Sequence, residues 1–415
     1  MFSATQGQFS IFTHLPNHMQ PIKSYFIDIQ WYDYPIYLIY ILLFLYLIDR
    51  FGKVAFSLPK MAVNFMKLTF LFYSVVLIAD SFLDFMPYLP DTEMYTYMIK
   101  SSLYPETSSV NVLALYYFSL VIAILCLNSP VIFTFFSVFF YIIGTQFLIS
   151  RIKSHSGYDV HRQQSIMSAM LLIWPAGLMY VSVPLREAYL LLAMCIFVAG
   201  FLSFLRERKL GLLITGSILL ILLRVQMFVC LAPLAGLLIV LKGKFHLALK
   251  AGVLTSAVVL VLVFLRYMVL GEPFSAAALS DLRNEYIAEG GDYSYGNVYW
   301  QSYGDMLLDL PFLILQFILS PLPVFSSYNT SHMFLANADM VFVLIILLII
   351  LADIRYHLKN HAALLSLALV FSVVFALYEY HLTGAVRHRM PMVIMLMIPA
   401  SATLARLTRK KHEAN

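Results

Sequence analysis

Long apolar runs return along the chain from Tyr34 to about Arg406, separated by short polar connections. A helix needs about 20 predominantly apolar residues to cross a bilayer. Thirteen segments approach that length: 34–49, 64–82, 109–127, 130–150, 165–183, 187–205, 209–223, 226–241, 251–270, 310–325, 337–353, 362–380 and 390–406. Within lipid every backbone N–H and C=O has to be satisfied inside the protein, so only helices and closed barrels can span, and no alternating barrel pattern is present. The chain is therefore expected to be all-α, a polytopic integral membrane protein of about 11–13 hydrophobic helices. Residues 1–415 read as one membrane domain. A composition of 61% hydrophobic and 12% charged residues, with a mean hydropathy of +0.83, lies far from that of soluble domains.

Much is excluded at once. There is no P-loop, dinucleotide fingerprint, HExxH or Cys/His metal spacing. Neither metal nor cofactor is expected, and nothing points to nucleic acid. Cys126, Cys195 and Cys230 all fall within apolar runs, where a thiol packs as a small hydrophobe. The first run begins too late to be a cleavable signal peptide. Charges at midplane depth, the mark of ion-coupled transport, are nearly absent from the helices.

Orientation follows from the excess of Lys and Arg in cytoplasmic connections. "DRFGKVAFSLPK", "RIKSHSGYDVHR", "RERK", "KGKFHLALK", "IRYHLK" and the terminal "RLTRKK" are the basic clusters. If all face the cytoplasm, segments 109–127 and 310–325 must each enter and leave on one side. Asn128-Ser129-Pro130 ends the first and Pro321 and Pro323 interrupt the second, as re-entrant segments would require. The alternative lets both span and inverts everything between them. The preferred arrangement leaves two larger external regions, 83–108 and 271–336.

The external basic residues are mostly arginine: Arg186, Arg224, Arg266, Arg283, Arg387 and Arg389, beside Lys23 and Lys100. Arginine presents a rigid fork of donors suited to phosphate oxygens. Arg186, Arg224, Arg266 and the group Arg387-His388-Arg389 sit at outer helix ends, where a lipid-linked phosphate or pyrophosphate would lie. The competing reading is that each arginine snorkels to headgroups or pairs locally, as Arg186 with Glu187. In the first external region, "PDTEMYTYM" sets Asp91 and Glu93 beside Tyr95, a combination suited to a sugar, with either carboxylate placed to act as general base. A helix start capped by Asp91 is the plainer alternative. The second region, "SDLRNEYIAEGGDYSYGNVYWQSYGD", is dense in Tyr, Trp, Gly and acids. It reads as a glycan-binding cleft or lid carrying Arg283, Tyr293 and Trp300, or as an interfacial aromatic belt.

Taken in order, "PDTEMYTYM", "VPLREAYLLL", "LLRVQMF", "SPLPVF" and "GAVRHRMPM" resemble the landmarks of bacterial surface-polysaccharide polymerases, the Wzy-type and EpsG-like membrane proteins that build O-antigen and exopolysaccharide. The resemblance runs from about residue 31 to 406. A more distant similarity is to GT-C glycosyltransferases, in which an acid of the first large external loop serves catalysis, the place of Asp91 or Glu93. One departure stands out: related sequences often carry Gly-Thr before the final Arg-x-Arg, and this chain has Thr383-Gly384.

The resemblance implies a GT-C-like fold in the bacterial inner (cytoplasmic) membrane. It further implies an undecaprenyl-pyrophosphate-linked saccharide as substrate, and membrane lipid and other polysaccharide-assembly proteins as partners. Arg387 and Arg389 would hold the carrier's phosphates, with His388 orienting a phosphate or moving a proton. A GT-C transferase adding one sugar from a polyprenyl phosphate, and a flippase or transporter for lipid-linked glycans, are the rival expectations.

Overall fold

The computed structural model describes residues 23–26, 29–87, 89, 91–101, 124–152, 159–242, 275–290, 294–322 and 331–414. Among the described residues the protein is helical, with no strand and one isolated bridge, Ser294 to His381. The helices are α1 (Asp33–Arg50), α2 (Lys60–Leu83), α3 (Asp91–Ser101), α4 (Pro130–Ser150), α5 (Val160–Leu172), α6 (Pro175–Val181), α7 (Glu187–Glu207), α8 (Gly211–Lys242), α9 (Ala276–Gly290), α10 (Tyr303–Ile318), α11 (Ser331–Ala352), α12 (Ile354–Asn360), α13 (Ala362–Tyr378), α14 (Leu382–His388) and α15 (Met390–Ala414).

Among the described residues, six helices are long and apolar enough to cross a membrane, or up to eight if each of two bent pairs is one span. That makes the chain a polytopic helical membrane protein, and within the described residues the spans do not match the apolar runs one for one. The differences have local causes. Runs 209–223 and 226–241 form the two helical halves of α8, which meet at a kink. Arg224 itself is extended (φ −163°, ψ 88°) and breaks the helix direction there. Run 165–183 bends by 59° between α5 and α6, where Trp174-Pro175 restarts the helix. Run 310–325 is shortened to α10, which ends at Ile318 ahead of Pro321. Run 251–270 and nearly all of 109–127 lie outside the described residues.

The contacts define two poles. At one, Asp49 pairs with Lys53 and Lys67 at 2.8 and 2.9 Å, Arg206 of α7 donates to the Arg151 carbonyl beyond α4, and Arg406 of α15 pairs with Asp353. These residues belong to the basic connections, so this pole corresponds to the expected cytoplasmic face. At the other, buried Lys23 pairs with Asp80 at the end of α2 at 2.7 Å and with Asp84 at 2.9 Å. The turn after Lys23 then grips α3: Ser24 N–H donates to Glu93 Oε1 at 3.4 Å and Lys100 Nζ to the Ser24 carbonyl at 3.0 Å.

The core between the poles is aromatic and aliphatic, with Phe70, Tyr73, Tyr141 and Trp174 fully enclosed. Its tightest crossing is α7 on α8. A Cβ built on Gly200 would stand 2.4 Å from Leu213 N, and one on Gly216 would stand 2.5 Å from Phe197 N and Cα. Glycine there lets two backbones approach as no other residue allows.

Candidate functional site

The second pole brings five separate stretches together. The α3 N-terminus supplies Asp91 and Tyr95, and the start of α7 supplies Arg186 and Glu187. The break in α8 supplies Arg224, the turn after α13 supplies Glu379, and α14 supplies Arg387 and His388. Helix α3 begins at Asp91, and its acids Asp91 and Glu93 suit the positive end of the helix dipole. Its buried face, Tyr95, Met98 and Ile99, packs into the core and turns the first residues toward α14.

Arg387 is the hub. Its Nε donates to Glu187 Oε1 at 2.5 Å, and its Nη1 donates to Asp91. The guanidinium is 16% exposed, Glu187 is 3% exposed and Asp91 55%, so the fork joins a buried carboxylate to one at the mouth of the site. Burial opposes the charge on Arg387, but Glu187 and Asp91 outweigh it and raise its pKa further. Burial alone would raise the Asp91 pKa too. Arg387, and then Arg186 and His388, overcome it and hold the carboxyl below the usual carboxylate range. Asp91 is thus an ionised, ion-paired and weakly basic group. Burial pushes the Tyr95 phenol up to about 12, leaving it a neutral hydroxyl beside the same charges.

A second chain of contacts runs from Glu379 through His388 to Arg224. His388 Nδ1 contacts Glu379, and His388 Nε2 stands 2.6 Å from Arg224 Nη2. A guanidinium can only donate, so Nε2 accepts and the imidazole is neutral with its proton on Nδ1, directed at the carboxylate. Burial, and then the Arg224 charge, lower the His388 pKa in keeping with that state. Glu379 Oε1 also accepts the His381 backbone N–H at 3.0 Å. A Cβ on Gly384 would lie 2.8 Å from that oxygen, which explains glycine at 384 behind Thr383. Tyr180 fixes the start of α14 by donating to the Thr383 carbonyl at 2.8 Å.

Three buried polar atoms of the cluster have no hydrogen-bond partner among the described residues: Arg186 Nε, Arg224 Nη1 and Glu187 Oε2. Two unsatisfied guanidinium donors at a polar pole, with acids flanking rather than neutralising them, form a place where an anion would be held.

Not every expected residue is there. Arg389 is fully buried and faces the other way. Its Nη2 and Nε donate to Asp339 Oδ2 at 2.6 and 3.1 Å, and its Nη1 donates to the carbonyls of Ile318 and Ser320 at 2.9 and 2.7 Å. Asp339 is completed by the Trp174 indole at 2.9 Å and the Ala176 N–H at 3.2 Å. Glu93 is held by the Ser24 N–H. Arg283 is buried and closes the end of α13, donating to the Ala376 carbonyl at 2.8 Å, and burial lowers its pKa to about 10. Trp300 is buried, with its indole on Asp309 at 2.9 Å. The stretch around it is clasped to α9, since Asn284 both accepts from Val298 N and donates to its carbonyl, at 2.9 and 2.6 Å. Arg266 and Tyr293 lie outside the described residues.

Sequence reasoning did not select Glu379 or Asp339, and it read Glu187 as a local partner of Arg186. Adjacent residues on a helix point apart, and Glu187 instead meets Arg387 from 200 positions away. The usable signal for Glu379 was an acid eight residues before the Arg-His-Arg group, at the outer end of the preceding apolar run, 362–380. No protein-family model, curated protein or solved structure matches the chain.

Proposed function

We propose that the chain is a membrane glycosyltransferase of the polysaccharide-polymerase type, acting on saccharides linked to a polyprenyl pyrophosphate at the outer face of a bacterial cytoplasmic membrane. The observation that carries this reading is the pair of donors without a partner among the described residues, Arg186 Nε and Arg224 Nη1, beside the Arg387 fork at the pole opposite the basic connections. Such a cluster matches a phosphorylated lipid headgroup better than a neutral sugar. An apolar cleft of about 460 Å³ lies at the α5–α6 bend, lined by Phe72, Trp174, Pro175, Leu178, Leu335 and Ala338 and by none of the charged residues of the cluster, and is of a character to take part of an isoprenoid tail. Arginine charge stabilises the leaving pyrophosphate as the glycosidic bond is transferred to an acceptor hydroxyl. The order of landmarks that resembles the Wzy-type and EpsG-like proteins favours joining whole repeat units over adding single sugars.

Two experiments test this. A deletion strain is expected to accumulate single repeat units on its lipid core, and the purified protein should elongate lipid-linked repeat units in vitro. Shortened units in the deletion strain would assign the chain to single-sugar transfer. Intact units confined to the cytoplasmic leaflet would assign it to transport.

A further inference from the structure

The unassigned feature of the second pole is the buried chain Glu379–His388–Arg224. Glu379 is 3% exposed, contacts Nδ1 of His388, and is fixed through its other oxygen by the His381 N–H. The imidazole is 18% exposed, and its second nitrogen is covered by one arginine Nη2 at 2.6 Å. The same arginine carries an unpartnered Nη1 and rests on an extended backbone within a broken helix. A carboxylate that fixes the tautomer of an imidazole whose other nitrogen carries an unprotonated lone pair, here occupied by Arg224, is the arrangement of a general base held in reserve.

We propose that Glu379 is a positioning residue for His388, and that His388 Nε2 becomes the general base for the acceptor hydroxyl when a donor phosphate draws Arg224 away from it. The inference rests on the glycosyl-transfer reading above and deepens it. In the step, the acceptor O–H proton passes to Nε2 while the oxygen forms a bond to the anomeric carbon. The bond from that carbon to the phosphate oxygen breaks, and its electron pair leaves on the pyrophosphate, against Arg186, Arg224 and Arg387. The imidazolium formed lies against the Glu379 carboxylate, which stabilises it. Arg224 thereby couples the two substrates: until the donor arrives it occupies the lone pair that the acceptor needs.

Asp91 is the competing base, and its pairing with Arg387 makes it the weaker one. Among the described residues, the charged and titratable groups facing His388 are Glu379 beyond α13, Arg224 of α8, Asp91 of α3 and Arg387 of its own helix. His388 works only when neutral, so turnover should fall as pH drops through its pKa.

The test uses the full-length protein in lipid with a purified lipid-linked repeat unit. His388→Gln can still accept from Arg224 and donate to Glu379 but cannot take a proton. Turnover is expected to fall roughly 10²–10⁴-fold, with donor binding changed less than about threefold. Glu379→Gln should move the acid limb of the pH–rate profile down by about one unit or more, and Glu379→Asp should partly restore it. Asp91→Asn should keep that limb.

Histidine nitrogen NMR, assigned by difference against His388→Gln, should find Nδ1 protonated and Nε2 bare in the protein without substrate. Near-normal turnover of His388→Gln, an unmoved limb in Glu379→Gln, loss of the limb in Asp91→Asn, or a proton on Nε2 would each overturn the assignment. Absence of any turnover by the unmodified protein would instead overturn the glycosyl-transfer reading, and the base assignment with it.

Discussion

Arg387 and Arg389 stand two positions apart and serve different ends. Successive residues of a helix are rotated by about 100°, so positions two apart face nearly opposite ways. One reaches the polar pole and the other enters the protein between α10, α11 and α6. The motif was legible in the sequence as a pair of equivalent phosphate ligands, because spacing alone did not say which side of α14 faced the site. Asp339 would have told them apart, but a single acid inside an apolar run has no pattern to expose it. Asp339→Asn leaves Arg389 as an uncompensated buried charge, an effect of about 3–5 kcal/mol. Thermal unfolding in detergent should register it, and replacing both members with leucine and methionine should recover most of the loss. Arg387→Lys cannot bridge Glu187 and Asp91 with one ammonium. It should lower turnover of lipid-linked units at least tenfold while the protein still inserts. The Asp91 carboxyl, depressed by Arg387, contributes its ion pair fully above the ordinary carboxylate range, near pH 4, and loses it as pH falls further. Activity changes between pH 5 and 8 should therefore survive Asp91→Asn.

Helix positions were largely readable from hydropathy, since each described span overlies an expected run. Helix continuity was not, because a break depends on packing as well as on local composition. Arg224 shows this: the sequence placed it at an outer helix end between two runs, and it stands at the non-helical kink where the two helical halves of α8 meet, with its guanidinium on His388. The α7–α8 crossing lies two turns before it, with Gly216 against Phe197. Gly216→Ala forces that contact apart and should destabilise the protein by about 1–3 kcal/mol. Any shift of α8 is transmitted toward Arg224, so donor binding should weaken as well. A matched substitution at Gly211, which has open space around it, should change neither. The second external region was read from composition as a glycan-binding cleft or lid, or as an interfacial aromatic belt; in the structure Asn284 and Ser280 tie Val298 and Trp300 to α9. Which polar side chains fasten a loop depends on tertiary placement that the residue order does not disclose.

Among the described residues, charge gathers at two poles, Asp49 with Lys53 and Lys67 and Arg406 with Asp353 at one, Arg387 with Glu187 and Asp91 and Lys23 with Asp80 at the other, while the Arg389–Asp339 pair is buried inside. That polarity was legible because membrane orientation leaves its record in residue composition. The partners at the site were not, because they join positions as far apart as 296 residues. This separation also bears on how the protein is made. Ribosomes deliver the chain from the N-terminus, so Asp91 and Glu187 enter the membrane long before Arg387 is synthesised. During that interval two carboxylates wait without their counter-ion, and the largely buried Glu187 is the more costly of the two to leave so. The last helices thus complete the electrostatics of the first, and a chain stopped after Tyr380 should be recognised as unfinished and degraded faster than the full protein in pulse-chase labelling. Neutralising the waiting charge with Glu187→Gln should lengthen the lifetime of that truncated chain, even though the same change in the complete protein removes a partner from Arg387.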